Sequence, residues 1–278
     1  MRNAIKAKLA ADLADLSGRC FDIGEPTAST AKPYATVKLA EQSDGSPWLG
    51  RTSRFEVALY GEANAAAALD LLADQAVLAL DCVKLTESSA ALPDFTCRYA
   101  GTAASERIDE AAQALVRVLS FTVAAVGSGE NAAPDAWLGA LAAWTTAQAG
   151  ADWRVYRTCW PQQYAIPAVM WRLGPIESAD RNAAAAELRQ SIVGHVIGRN
   201  AGEQTAMIRT LAAGLGSLTK LPLDPVAKTY AAVASVSGDY AADGLTVGQL
   251  TAVLRQTIAK SAPGGPLIEQ VHIDGGFG

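Results

Sequence analysis

Histidine is almost missing from this 278-residue chain: His195 and His272 are its only two. That disfavours a histidine-based metal site and most histidine-driven catalysis. Cysteine is scarce too. Cys20, Cys82, Cys97 and Cys159 form no CxxC pair and no zinc spacing, so they read as ordinary buried or half-buried thiols. Charged residues make up only 18%, and Asp plus Glu (28) outnumber Lys plus Arg (23) for a net charge of −5. Grip on nucleic acid through phosphate neutralisation needs the opposite balance, so no sequence-specific nucleic-acid partner is expected. No long hydrophobic run exists either. The stretch from Ala111 to Val126 is broken by Arg117 and falls short of the ~20 apolar residues that span a bilayer, so no membrane partner is expected. The start, Met1-Arg2 followed by Lys6 and Lys8, puts charge where a secretory signal needs an apolar stretch. These absences point to a soluble protein of a reducing cytoplasm. What is abundant is core material: half the residues are hydrophobic, enough for one large domain or two of about 140 residues each.

The clearest break is Gly127-Ser-Gly-Glu-Asn-Ala-Ala-Pro134, small, polar and punctuated by Gly and Pro. It predicts a linker over 127–134 between units at 1–126 and 135–278. In the first unit, Ile5, Leu9, Leu13 and Leu16 recur at helical spacing and Gly18 stops the helix. Pro33–Leu39 reads as a strand. A polar stretch, Glu41–Gly50, separates it from a second strand in which Phe55, Val57 and Leu59 alternate with Arg54, Glu56 and Ala58. Ala63–Leu80 is strongly amphipathic through Leu69, Leu72, Ala73, Ala76, Val77 and Leu80. Phe95–Tyr99 predicts a strand, Ser105–Ala114 a short helix and Val116–Val126 a closing strand.

The second unit follows the same order, displaced by about 137 positions, the signature of an internal repeat. Asp135–Gln148 predicts a helix with Asp135 as N-cap and Gly150 as stop. Ala168–Leu173 stands where Tyr34–Leu39 stood, and Ile192–Gly198 where Phe55–Gly61 stood. Met207, Leu211, Leu215 and Leu218 repeat the helical spacing, Thr219-Lys-Leu221 echoes Val83-Lys-Leu85, and Tyr230–Val236 ends at Gly238 as Phe95–Tyr99 ends near Gly101. A longer helix, Leu245–Ala259, and a closing strand, Leu267–Ile273, complete the expectation. Each unit therefore reads as helix–strand–strand–helix–strand–helix–strand. The fold class is α+β: two tandem, similar units, each a mostly antiparallel sheet packed against helices.

Motifs that carry chemistry are few. Gly127-Ser-Gly-Glu-Asn-Ala132 has the GxGxxA pattern, but a dinucleotide site needs the glycine turn to open the helix directly. Ala133 and Pro134 intervene, and Cys159-Trp160-Pro161 stands where the ribose-binding acid is expected. A nucleotide-binding enzyme using this loop is the weakest of the functional readings, and no cofactor is expected. Glu106, Asp109 and Glu110 sit at the polar start of a predicted helix, where they complement its dipole. There is no GxSxG, Walker loop, HExxH or EF-hand loop. His195 follows Gly194 in a predicted strand and reads as a satisfied structural histidine, as does His272. Enzymatic activity is not expected.

Tryptophan is uneven: five of the six fall between Trp137 and Trp171. Trp137 and Trp144 share the apolar helix face with Leu141. Trp153 and Trp160 bracket a loop or edge strand, and Trp48 with Leu49 lies in a polar loop, so all four are candidate interface residues. Pro263-Gly-Gly-Pro266 isolates the C-terminal segment. There Leu267, Val271 and Ile273 share a face that either completes its own sheet or adds to a neighbour's edge.

The repeated unit is an N-terminal helix, paired strands around a polar hairpin, an amphipathic helix and further strands. It stands in an acidic, alanine-rich chain ending in Gly-Gly-Phe-Gly. This arrangement resembles the tail terminator, or tail completion, proteins of tailed bacteriophages and related contractile particles. The resemblance is one of topology and covers 1–126 and 135–278; usual members carry one unit. It implies a structural virion protein, assembled in the host cytoplasm, that forms a ring on the head-proximal end of the tail. The ring stops tube polymerisation and presents the surface that joins the neck. Implied partners are further copies of itself, the tail tube protein, a neck or connector protein and, in contractile particles, the last sheath ring. The ring is expected to hold six two-unit chains, or three chains standing in for six units. Another head–tail connector, or a tube- or sheath-associated neck protein, is the alternative.

Overall fold

The computed structural model describes residues 1–87, 94–125, 135–224, 226 and 228–260. The first unit opens with helix α1 (Arg2–Asp12), which buries Ala4, Ile5 and Leu9, and a short 3-10 turn at Ala14–Leu16. Strands β1 (Cys20–Asp22), β2 (Tyr34–Asp44) and β3 (Arg51–Glu62) follow, then helix α2 (Ala66–Leu80). A two-residue β4 (Lys84–Leu85), β5 (Phe95–Asp109) and β6 (Ala114–Ala125) complete it. The second unit repeats the series as α3 (Ala136–Ala149), β7 (Arg154–Arg157), β8 (Ala168–Asp180), β9 (Ala185–Ile197), α4 (Ala201–Ser217), β10 (Leu221–Asp224), β11 (Thr229–Gly238) and β12 (Leu250–Ala259).

The duplication is complete at the level of topology. One six-stranded sheet runs β1-β2-β3-β6-β5-β4, and the other, read from its opposite edge, runs β7-β8-β9-β12-β11-β10. Both are antiparallel except at the first pair, where β1 lies parallel to β2 and β7 parallel to β8. Each long second strand follows a cis X–Pro bond, Lys32–Pro33 and Ile166–Pro167. Each then shifts register late in its hairpin, between Leu39 and Glu41 and between Leu173 and Ile176.

In each unit helices cover one face of the sheet. Leu69, Leu72, Ala73 and Leu80 of α2 join Ile5 and Leu9 of α1 over Val57, Leu59, Phe95 and Phe121. Each such aliphatic side chain removed from water contributes roughly 1.5–3 kcal/mol. In the second unit Leu138, Leu141, Leu211 and Leu215 close over Val169, Trp171, Ile192 and Leu254. In the second unit the helix starts are capped by side chains: Asp135 accepts from the amides of Trp137 and Leu138. Asn200 accepts from Glu203 N while Glu203 Oε2 accepts from Arg199 N, a reciprocal cap.

Two predicted helices are corrected. Ser105–Ala114 is the end of β5 and its turn into β6, not a helix. β5 shifts register three times between Tyr99 and Arg107, so the alternation of two that marks a strand is scrambled there. Leu245–Ala259 is a turn followed by β12, which pairs with β9 over the whole length from Leu250 to Ala259. Leu250, Ala252 and Leu254 are buried in alternation, and Gly248, at φ +91°, breaks any helix ahead of them. The order in each unit is therefore helix, short strand, two long strands, helix, short strand, two long strands. The strand expected at Leu267–Ile273 and the linker at 127–134 lie outside the described residues.

Candidate functional site

The residues with the most pointed chemistry meet at a seam between the units. The β2–β3 hairpin ends in a tight tip, Gly45 to Gly50, closed by the Gly45 amide donating to the Gly50 carbonyl at 2.8 Å. This tip carries Trp48 and Leu49 into the second unit. Leu49 is 6% exposed and shares one apolar cluster with Trp160, Tyr164, Ala168, Met170 and Leu245. Half-buried Trp48 packs on that cluster. Its Nε1–H donates to the Thr246 carbonyl at 3.3 Å, and its own carbonyl accepts from Trp160 N at 2.9 Å. The Arg172 guanidinium lies 3.8 Å from the centroid of a Trp48 ring, a cation–π contact of about 1 kcal/mol.

Beside the tip, β5 adds a polar edge to the same seam. Thr96 donates through its amide to the Gln162 carbonyl at 3.2 Å and through Oγ1 to the Tyr164 carbonyl at 2.9 Å. Arg98 reaches Asp243 at 3.4 Å. Asp243 is fixed by the amides of Leu245 and Thr246 and by the Thr246 hydroxyl. Behind Arg172 lies His195, fully buried on β9. Its Nε2 accepts from Arg172 Nε at 2.9 Å, and its Nδ1 faces the Gly244 carbonyl at 3.0 Å. Those partners select the neutral tautomer with the proton on Nδ1. Burial, reinforced by the Arg172 charge and opposed by Gly244 and Asp243, pushes the imidazole down to about 4.

Of the sequence-predicted interface residues, Trp48, Leu49 and Trp160 come together at this seam, inside one chain. Trp153 does not join them: it is buried in the second unit's core with Leu138 and Leu141. Leu267, Val271, Ile273 and His272 lie outside the described residues, as does the Gly127–Ala132 loop. Glu106 and Asp109 are not on a helix. Glu106 pairs with Arg117 at 2.6 Å, and Asp109 accepts from Ala112 N at 3.0 Å. Arg172, Tyr164, Asp243 and Thr246 escaped sequence reasoning, because nothing local marks a residue whose partner comes from the other unit.

The seam is held by apolar packing, a cation–π stack and hydrogen bonds. Among the described residues no three His, Cys, Asp or Glu side chains gather as a metal site would require. No helix among them is long and apolar enough to cross a membrane. Two open clefts lie away from the seam. One, of about 220 Å³, is lined by Ile23, Pro26, Tyr34, Tyr60, Asp109 and Ala112 among others; the second, of about 470 Å³, includes Arg181, Lys228, Tyr230 and Arg255. Neither a protein-family model nor the sequence of a curated protein matches this chain.

Proposed function

We propose that this protein is a structural component of a tailed phage or phage-tail-like particle. It forms a ring that ends the tail tube and joins it to the neck. The observation that carries the reading is the exact repetition of one α+β unit, joined to its copy by a loop-in-socket seam. A unit that already binds its own likeness through one face is suited to building a ring, and two units on one chain halve the number of separate chains a given ring needs. The acidic balance of the chain, at −5, agrees with a ring through which DNA passes without adhering. The residues at the seam hold surfaces together, and the reading assigns the protein no catalytic step and no cofactor.

The test is binding to tube ends. Purified protein is mixed with polymerised tail tubes from the same particle and imaged in negative stain. A cap on one end of each tube, with elongation arrested, is the expected result. Binding along tube walls, or to a connector ring but never to a tube end, would overturn the terminator assignment in favour of another neck protein.

A further inference from the structure

The two open clefts are the unmatched halves of the seam already described. Follow the socket of the second unit into the first. Ala168 pairs with Ile197 at the start of the β8–β9 hairpin, as Tyr34 pairs with Tyr60 in β2–β3. Met170, two residues after Ala168, corresponds to Thr36. Asp243 holds the amides of Leu245 and Thr246 in the long loop ahead of β12; Asp109, the last residue of β5, holds Ala112 N in the shorter turn ahead of β6 and lines the first unit's cleft. The loop before β8 that supplies Trp160 and Tyr164 corresponds to the loop of Ile23, Pro26 and Ala28 before β2. Tyr34, Thr36, Tyr60, Asp109 and that loop are what line the cleft of about 220 Å³. In the second unit the equivalent place is filled by Leu49 and Trp48; in the first it is open, with Ile23 66% exposed.

The other cleft is the inserting half. Leu85 pairs with Phe95 as Leu221 pairs with Ala231, so Thr96, which bonds across the seam, corresponds to Ala232. Ala124, part of the seam cluster, corresponds to Arg255. Ala232 and Arg255 both line the cleft of about 470 Å³, beside Arg181 at the tip of the β8–β9 hairpin. That tip, Arg181 to Ala184, is exposed, whereas the matching tip at Gly45–Gly50 is plugged into the second unit of its own chain. The charges are complementary. The hairpin cleft gathers Arg181, Lys220, Lys228 and Arg255 against Glu187. The open socket presents Asp109, with Glu25 and Glu110 exposed next to it.

We propose that the cleft at Tyr34, Tyr60 and Asp109 is the docking socket for the β8–β9 hairpin of a second copy of this chain. The intermolecular joint repeats the intramolecular one in its hairpin-into-cleft arrangement, with the basic cluster of the hairpin cleft facing the acidic side of the socket at Asp109. The contact is heterologous: each copy offers one hairpin and one socket, so joining is head to tail and closes into a ring when the rotation permits. This deepens the ring part of the function proposed above and rests on it only for closure; the joint is tested apart from any tail.

The test uses two variants at exposed positions, Arg181→Glu on the hairpin and Ala111→Trp at the mouth of the socket. Molar mass is followed by light scattering, with thermal unfolding as the control for folding. Each variant alone remains at 28.8 kDa, with assembly weakened at least tenfold relative to the wild type. A one-to-one mixture contains one intact hairpin–socket pair, so it gives species of twice 28.8 kDa and nothing larger. In parallel, the double variant A183C/A28C forms a disulfide between chains under oxidation, and neither single variant does. Wild-type rings left unchanged by both substitutions would overturn the joint while sparing the ring. A wild type still monomeric at about 1 mM, where even a millimolar contact is half-formed, together with no A183C–A28C cross-link, would also overturn it.

Discussion

Lowering the pH should weaken this protein well before its carboxylates titrate, and His195 sets the size of the effect. The folded chain holds this imidazole neutral, down at about 4, chiefly because burial penalises its charged form. Unfolded, it titrates near 6.5. Between those values the unfolded state binds more protons than the folded one, so unfolding becomes easier as pH falls. The contribution of neutral His195 is fully present above pH 6.5 and is lost as pH falls through the folded value. The gap corresponds to roughly 3 kcal/mol in total, of which about 1 kcal/mol is gone by pH 5.5. The charged and hydrogen-bonding groups facing the ring are Arg172 from β8, which donates to it, and Gly244 and Asp243 from the loop ahead of β12, with the rings of Trp48 and Trp160 packed against it. A proton arriving on Nε2 takes the site where Arg172 donates, so the Arg172–Trp48 stack should loosen with it.

The assay is urea unfolding of the wild type and His195→Gln at pH 7.5, 6.5 and 5.5, followed by tryptophan fluorescence. The substitution is destabilising at every pH, since it disturbs a buried bond. The informative quantity is the difference between the two proteins, which should shrink by about 1 kcal/mol from pH 7.5 to 5.5. A difference that stays constant or widens toward acid would refute the reasoning, because it would mean that His195 does not titrate between the folded and unfolded states as its burial requires.

Leu49→Ala should cost about 2–5 kcal/mol, because the side chain is buried between the units and not in either core. Calorimetry should show the units unfolding less cooperatively, with neither core's own transition abolished. At Gly194 a Cβ would stand 2.7 Å from Trp171 Cη2, so Gly194→Ala should destabilise the second unit by about 1–3 kcal/mol, read from its urea midpoint. Asp135→Ala removes the acceptor for two amides at the start of α3 and should cost about 1 kcal/mol by the same measurement, with Asp135→Asn recovering most of it.

The sequence made the repeat legible wherever periodicity was clean. α2, α3 and α4 carry unbroken apolar spacing, and β3 alternates over its length, so their positions followed from the residues. Misreadings fell where one period masqueraded as another. Leu250, Val253, Leu254 and Thr257 fit a helix as well as a strand, and only their partner β9 decides between the two. β5 lost its alternation to bulges, leaving polar residues that read as a helix start. The repeat held a correction the local pattern lacked: the final strand of the first unit demanded a strand at the matching place in the second. Trp48, Leu49 and Trp160 could be flagged as contact residues from their settings. What they contact could not be read, since Trp48 and Trp160 are far apart in sequence and their hydrogen bond depends on how two sheets meet.

The two joints differ in chemistry for a reason that can itself be measured. Inside the chain, the seam is made of Leu49, Trp160, Tyr164 and Met170, with Trp48 packed over it. Its halves are tethered on one chain, so apolar surface there need never face water as a free patch. The outer faces must remain soluble until a second copy arrives, and there the clefts are lined by Arg181, Lys228 and Arg255 on one side and by Asp109 on the other. Charge at such a face speeds encounter and sets register more than it adds lasting affinity. Salt should therefore separate the two. Raising ionic strength from 0.1 M to 1 M shortens the screening length from about 10 Å to about 3 Å, which should dissociate chains from one another. The cooperative unfolding of the two units within a chain should persist, because buried apolar contacts are not screened. Assembly that is indifferent to salt, or units that uncouple in high salt before chains separate, would show that the charged faces are not where copies meet.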